Sequence, residues 1–292
     1  MNFFLFFPAC AIFFSTLIFL TAFASPVRVT DDRGGTVVLD QPAQRIIALA
    51  PYITELVYAA GAGSKLVGAS EYSDYPEAAK NITRVGDAAH IDIERILLLK
   101  PDLILGWRSG SHAGELARLE KLGFKVFVME PVKLADIPRL LRALGKFAGT
   151  RAAAEIAAKD FEDRLEALRK RFSGKRPVTV FYEIWHEPLM TVNGEHIISD
   201  VLKLCGGVNV YANVRPLTPI ISIEGLLAED PEAIISSVSQ GELWQPFKVL
   251  SAVRKERIFF IPPEWLERQS PRILEGAREI CERLDTVRKE KR

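Results

Sequence analysis

The chain has 292 residues, of which 48% are hydrophobic and 26% charged, so it is neither a disordered nor a many-pass membrane protein. Its 38 Lys and Arg residues nearly balance 37 Asp and Glu residues. A net charge of +1 does not produce the positive electrostatic field by which proteins attract nucleic acid. At this length a single hydrophobic core begins to divide, so two lobes are expected.

The first 24 residues predict export of the chain from the cytoplasm. Positions 3–24 are apolar apart from three hydroxyl residues and end in Ala22-Phe23-Ala24, the small-x-small pattern of a signal peptidase site. The run is long for a signal peptide and lacks a preceding positive charge, so an uncleaved membrane anchor is the alternative. Either segment exports the remaining chain, and we predict a signal peptide at 1–24.

Two cysteines remain after that segment, Cys205 and Cys281. An even number of cysteines in an oxidising compartment normally forms disulfides, so we predict this bond. Two buried free thiols are the alternative.

Strand-like runs alternate with helical patterns through the first half of the exported chain. A helix is predicted from Thr54, as N-cap, to Gly61, as C-cap, and further helices at 93–99 and 113–122. The predicted strands are Thr36–Leu39, 46–50, Leu66–Ala69, 103–106 and 125–129. This alternation is typical of βαβ units and a parallel sheet.

A long helical segment separates this half from a second one. Between 134 and 172 there is almost no Gly or Pro, and apolar residues recur at three- and four-residue steps, which predicts one long amphipathic helix, or two, after Pro138. Strands resume at 178–182, Ala233–Ser236 and 257–261. We therefore expect an N-terminal α/β lobe at 25–133, an interdomain helix at 134–173 and a C-terminal α/β lobe at 174–292.

An internal repeat relates the two lobes. Residues 93–104 and 223–234 share a helix, a Pro-acid turn and a buried strand, with Asp92 and Ser222 as predicted caps. Glu94 and Glu224 occupy the first helical turn, where the helix dipole favours a carboxylate. Capping alone explains one such Glu, whereas a Glu at the same place in both lobes is also a candidate docking feature.

Motifs of catalysis are missing from the sequence. There is no GxSxG elbow, HExxH, Walker loop or GxGxxG after a strand, and the four histidines never pair at metal-ligand spacing. His186 follows a predicted strand, at the strand end where open α/β sheets bind ligands. It could contact a ligand or lie in solvent.

Aromatic residues follow several predicted strands. Tyr and Trp beside charged residues in such loops provide flat apolar surface with polar anchors, as a large, partly apolar ligand requires. These aromatic residues are Tyr72, Tyr75, Trp107, Trp185 and Trp265.

Four motifs resemble those of the periplasmic cobalamin-binding protein of ABC importers, in the class III family of helical-backbone metal-chelate binding proteins. They are Tyr-Ser-Asp-Tyr-Pro at 72–76, Leu-Lys-Pro-Asp-Leu at 99–103 followed by Trp-Arg at 107–108, Cys-Gly-Gly at 205–207, and Trp-x-Glu-Arg-x-Ser-Pro-Arg at 265–272. The resemblance covers nearly all of the exported chain.

The resemblance implies an α/β fold of two Rossmann-like lobes with parallel sheets, joined by a single long backbone α-helix. It also implies a disulfide between Cys205 and Cys281. In that family the glutamates matching Glu94 and Glu224 form salt bridges with permease arginines, which favours docking over capping alone.

A ligand site between the lobes is implied as well, with no catalytic residues, no metal and no cofactor of the protein's own. Glu264 stands where the family has Asp, and Arg268 matches an arginine. The predicted ligand-binding residues are Tyr52, Tyr72, Trp107, Ile184, Trp185, Met190, Glu264, Trp265 and Arg268. His186 is a candidate axial contact to a metal in the ligand.

This chain departs from the family at several of these positions. Ala88 and Thr218 stand where tryptophans frame the corrin, and Ile184 and Met190 replace phenylalanines. Trp185 or Trp265 could restore the lost apolar area.

The combined expectation is a monomeric, non-enzymatic periplasmic receptor. It would capture cobalamin or a related corrinoid and deliver it to an inner-membrane ABC permease dimer, with no nucleic-acid partner. Haem or an iron-siderophore is the alternative ligand, and a periplasmic enzyme using His186 with Glu183 or Glu187 is a further alternative.

Overall fold

The computed structural model of the protein describes residues 26–111, 113–238 and 241–289. The predicted signal peptide, 1–24, lies outside them. Within the described ranges, no helix combines the length and the hydropathy needed to cross a membrane.

The N-terminal lobe is a four-stranded parallel sheet between two layers of helices. Its elements are β1 Val27–Thr30, β2 Thr36–Leu39, β3 Ile46–Ala48, α1 Pro51–Ala59, β4 Leu66–Ala69, α2 Ile93–Leu99, β5 Leu103–Trp107, α3 Ala113–Lys121, β6 Val126–Met129 and α4 Asp136–Ala148. The sheet order is β4-β3-β5-β6, and β1 and β2 form a separate antiparallel pair. On β5, Leu103 and Leu105 join one hydrophobic cluster and Ile104 the other, because alternate side chains point to opposite faces.

The C-terminal lobe repeats this architecture after the helix α5 Arg151–Phe172. Its elements are β7 Val178–Glu183, α6 Ile197–Leu204, β8 Gly207–Asn209, α7 Ile223–Glu229, β9 Ala233–Ser236, α8 Ser251–Arg254, β10 Ile258–Phe260, α9 Pro263–Leu266 and α10 Ile273–Lys289. Its sheet has the order β10-β9-β7-β8, and every neighbouring pair is parallel. The predicted fold class, two parallel α/β lobes, is therefore confirmed.

The predicted interdomain segment, 134–173, contains two helices, the last helix of the N-terminal lobe, α4, and the helix α5, which is the second of the possibilities that the sequence left open. Gly149, in the left-handed region at φ 71°, ends α4, and α5 begins two residues later. Pro138 lies within the first turn of α4, where a missing N–H is tolerated. Because α5 packs against α1 on one side and against α6 and α10 on the other, it serves as the backbone between the lobes. The lobe limits stay a prediction.

The start of α1 differs from the prediction. The helix begins at Pro51, whose fixed φ suits the first helical position, rather than after Thr54. Thr54 is buried inside the helix and its hydroxyl donates to Ser73 Oγ at 3.1 Å, so it is not an N-cap. Gly61 follows the helix end with φ 75°, consistent with the predicted stop.

The repeat and the disulfide are both present as predicted. Asp92 accepts a hydrogen bond from the Arg95 N–H, and Ser222 accepts one from the Gly225 N–H, so each caps its helix. Cys205, at the end of α6, is bonded to Cys281 in α10.

Candidate functional site: the cleft between the lobes

A cavity of about 610 Å³ lies between the lobes, beyond the carboxyl ends of the parallel strands. Segments that follow β3, β4, β5, β7 and β10 all contribute to its wall, as expected for ligand sites in open α/β sheets. The N-terminal lobe supplies Pro51, Tyr52, Tyr72, Trp107 and Ser109. The C-terminal lobe supplies Ile184, His196, Pro216, Leu217, Thr218, Pro263, Glu264, Glu267, Arg268 and Gln269.

Aromatic rings form the N-terminal side of this cavity. Tyr52 is buried and its ring meets Trp107 edge to face, with ring centroids 5.6 Å apart. Tyr72 is 75% exposed, and together with Trp107 it also lines an adjoining cavity of about 250 Å³. This geometry offers a flat apolar surface to a large ligand.

Two carboxyl groups line the opposite side. Glu267 accepts hydrogen bonds from the hydroxyl groups of Ser237 and Tyr182. Burial raises the pKa of Glu267 above its usual value, and the charge of Glu264 acts in the same direction. The C-terminal wall therefore presents two carboxyl groups, of which Glu267 is shifted toward its neutral form.

Arg268, also in this wall, is held by partners from the N-terminal lobe. Its Nη1 donates to Glu55 Oε1 at 3.1 Å and to Asp74 Oδ1 at 2.5 Å, and its Nη2 donates to the Tyr72 carbonyl oxygen at 3.1 Å. Among the described residues lining the cavity, Arg268 is the one permanently charged cation. Its charge is already paired within the protein.

His196 is a cavity residue that sequence reasoning missed. It is 9% exposed, and its Nδ1 accepts the Ile198 N–H at 3.2 Å as the N-cap of α6. Burial lowers the pKa of His196 to about 4, so the ring is neutral at pH 7 with its proton on Nε2. Its position directly before the amphipathic helix Ile197–Leu204 was the available signal.

Comparison with known proteins identifies the family. A profile described as "Periplasmic binding protein" matches residues 46–264. The chain belongs to the periplasmic binding protein family.

Members of this family with high similarity carry vitamin B12 in their names. The "Vitamin B12-binding protein" of Vibrio cholerae serotype O1 is 39% identical over 253 residues, 85% of this chain and 92% of the relative. The crystal structure of the periplasmic vitamin B12 binding protein BtuF of Vibrio cholerae superposes with a TM-score of 0.82, at 39% identity, over 85% of this chain and 99% of that one.

The fold is shared more widely. A periplasmic heme-binding protein, RhuT from Roseiflexus sp. RS-1, gives a TM-score of 0.75 at 21% identity over 85% of this chain and all of its own. At that identity the likeness concerns the fold alone.

Six of the nine predicted ligand-binding residues line the 610 Å³ cavity. A further residue, Tyr75, lies away from it, against Arg272. The six predicted residues that line the cavity are Tyr52, Tyr72, Trp107, Ile184, Glu264 and Arg268.

The other three predicted residues lie elsewhere. Trp185 is 58% exposed and pairs with Met190 in an isolated β-bridge, and Trp265 packs against the hydrophobic core. None of the three lines this cavity.

His186 also lies outside the lining of the cavity. Its Nδ1 is 2.6 Å from Glu183 Oε1, and the buried Glu183 also accepts the Trp244 indole N–H at 2.9 Å. The ring of His186 packs edge to face on Trp244. Within the described ranges, no group of three or more His, Cys, Asp or Glu residues is placed to hold a metal ion.

Two of the positions at which this chain differs from the family pattern lie in cavity walls. Thr218 lines the 610 Å³ cavity and Ala88 lines the adjoining 250 Å³ cavity. Small side chains at these two positions leave room that larger rings would fill.

Glu94 and Glu224 lie away from the cleft. Both are exposed, in the first turns of α2 and α7 respectively. Their carboxylates are accessible to a partner surface.

Proposed function

We propose that this periplasmic binding protein captures cobalamin or a related corrinoid in the cavity between its lobes and delivers it to an inner-membrane ABC importer. The protein carries out no reaction of its own. The exported chain would work in the periplasm after its N-terminal segment has directed it across the inner membrane.

The charge of the cavity wall carries this proposal. Apart from the hydroxyls of Tyr52 and Tyr72, the ionisable groups of the wall are Glu264, Glu267, the neutral His196 and Arg268, whose charge is paired with Glu55 and Asp74. Haem carries propionate carboxylates, and desolvating them beside Glu264 and Glu267 without a free cation is unfavourable. The corrin ring carries neutral amide side chains, which can donate to these carboxylates.

Apolar burial would supply most of the affinity. Tyr72 and Trp107 present their rings to the macrocycle, while Ile184, Pro216 and Leu217 face it from the other lobe. A ligand larger than this cavity would extend beyond it. Only that outer part of the ligand could contact Trp185, Met190 and Trp265. His186 could approach the ligand metal only with Nε2, because Glu183 holds its Nδ1.

Docking would use the two exposed carboxylates. Glu94 and Glu224 would form ion pairs with arginines on the two halves of the permease dimer, and one monomeric receptor would span both. The equivalent position of each Glu in its lobe supports this arrangement.

A ligand panel tests the proposal. We expect calorimetry to detect tight binding of cobalamin, weaker binding of cobinamide, and no comparable binding of haem or a ferric siderophore. Preferred binding of haem or of the siderophore would refute the corrinoid assignment.

Variants of two tryptophans locate the site in the same measurement. Trp107→Ala should weaken cobalamin binding by about 1–3 kcal/mol, as for a buried aromatic anchor, whereas Trp185→Ala, outside the cavity lining, should weaken it by less. Unchanged affinity of Trp107→Ala would place the ligand elsewhere.

A further inference from the structure

A buried carboxylate in one lobe holds two arginines of the other. Glu55, in α1, is 3% exposed. Its Oε1 accepts from Arg268 Nη1 at 3.1 Å and from Arg272 Nη2 at 2.6 Å. Its Oε2 accepts from Arg272 Nε at 2.9 Å and from Ser270 Oγ at 2.6 Å. All four donors come from the segment between α9 and α10.

These contacts resist separation of the lobes. A buried carboxylate is strongly unfavourable unless it is paired and hydrogen-bonded, and here both oxygens are satisfied only by the other lobe. Opening the cleft at this edge would remove every one of these partners together. We name Glu55, Arg268, Ser270 and Arg272 the interlobe clasp.

The clasp also holds a loop that faces the ligand. Arg268 donates to the Tyr72 carbonyl oxygen and to Asp74. Tyr72 has φ 61°, in the left-handed region that residues with a side chain seldom adopt, so its conformation needs outside support. The Tyr72 side chain lines the ligand cavity.

The clasp stands between two cavities. Arg268 lines the 610 Å³ ligand cavity, whereas Glu55 and Arg272 line a separate cavity of about 420 Å³. Arg272 also stacks over the ring of Tyr75 at 4.1 Å, which adds a second contact with the N-terminal lobe. The clasp therefore closes one edge of the ligand cleft.

We propose that Glu55 is a positioning residue: through Arg268 and Arg272 it fixes the width of the empty cleft and the placement of Tyr72 before a ligand arrives. Arg268, which the family resemblance assigns to ligand contact, thereby has a second role within the protein. The effect on affinity rests on the proposed function, whereas the effect on the empty cleft does not.

Distance measurements on ligand-free protein test the proposal. Spin labels at two exposed positions, introduced as Lys121→Cys in the N-terminal lobe and Lys248→Cys in the C-terminal lobe, report the separation of the lobes. We expect a single narrow distance distribution in the otherwise wild-type protein. Glu55→Gln should broaden it toward longer distances and should weaken cobalamin binding about tenfold.

Asp31→Asn is the matched control. Asp31 is also a buried carboxylate bonded to an arginine, Arg33, but both residues lie in the N-terminal lobe. Its variant should keep the narrow distribution and the wild-type affinity. If Glu55 served stability alone, Glu55→Gln would lower the melting temperature but leave the distances and the affinity of the folded protein unchanged, and the proposal would be wrong.

Arg268→Gln gives an independent test should Glu55→Gln fail to fold. It removes the links to Tyr72 and Asp74 but leaves the Glu55–Arg272 pair, so we expect a smaller broadening of the same kind. An unchanged distribution in Arg268→Gln would overturn the proposal. Failure of the wild-type protein to bind cobalamin would contradict the proposed function and leave the distance result as the test of the clasp.

Discussion

His196 couples the wall of the ligand cavity to the stability of α6. Its ring is buried, it caps the helix through Nδ1, and burial lowers its pKa to about 4. In the unfolded chain the pKa returns to the ordinary value near 6.5. Between about pH 6.5 and pH 4 the unfolded state therefore binds a proton that the folded state does not, so stability falls as the pH falls.

This linkage predicts a specific pH dependence. His196 should account for a loss of about 3 kcal/mol in the free energy of unfolding across that window. His196→Asn keeps a side-chain oxygen that can cap α6 and removes the titration, so its stability should fall less steeply. Urea unfolding at pH 7 and pH 4.5 measures the difference, with the exposed His90→Asn as control. Parallel pH profiles for wild type and His196→Asn would contradict the prediction.

Helices α6 and α10 depend on a covalent link as well as on packing. Cys205 and Cys281 are both fully buried, and the residues around them on α6, α10 and β7 belong to the same hydrophobic cluster. The bond joins positions 76 residues apart, so it restricts a long loop in the unfolded chain.

Removing the disulfide should reduce stability without changing ligand binding. We expect Cys205→Ala with Cys281→Ala to lower the free energy of unfolding by about 2–4 kcal/mol. Neither residue lines the cavity, so cobalamin affinity at 25 °C should match that of wild type. Denaturant unfolding under non-reducing conditions gives the stability and calorimetry the affinity; an unfolding free energy equal to that of wild type would count against the prediction.

At the scale of the whole molecule, the two lobes are connected more firmly than by a flexible linker. One hydrophobic cluster extends from α1 and α4 through α5 to α6 and α10, and the interlobe clasp adds polar contacts at the cleft. A receptor built this way should close only slightly on its ligand. The spacing between Glu94 and Glu224 would then stay nearly constant, as docking to a fixed permease surface requires.

Charge reversal of both carboxylates tests that arrangement. We expect Glu94→Arg with Glu224→Arg to fold and to bind cobalamin as wild type, because both residues are exposed and far from the cavity lining. Uptake of cobalamin by cells should fail, because the introduced arginines would repel the permease arginines with which the glutamates are proposed to pair. Glu229→Arg, an exposed site at the other end of α7, is the control. Normal uptake by the double variant would contradict the docking role and would mean that these glutamates serve only at the helix N-termini.

Local patterns were sufficient for much of the fold. The strands Thr36–Leu39, Leu66–Ala69 and Ala233–Ser236 match their predicted bounds, since short apolar runs bounded by turn residues define buried strands. The caps Asp92 and Ser222 also follow from residues within one helical turn of each other. The prediction of Thr54 as an N-cap was wrong because the helix already begins at Pro51, three residues earlier.

The order of the elements, the disulfide and the aromatic segments that follow strands could therefore be predicted from the amino-acid sequence alone. Which side chains share the cleft depends on how the two lobes pack together: His196 lies in the cavity wall, while Trp185 and His186 lie outside it. Glu55 and Arg268 are separated by 213 residues and meet only because both lobes pack on α5. Periodicity reports the neighbours of a residue along one element, whereas contacts between lobes depend on how whole layers pack, and no local pattern contains that information.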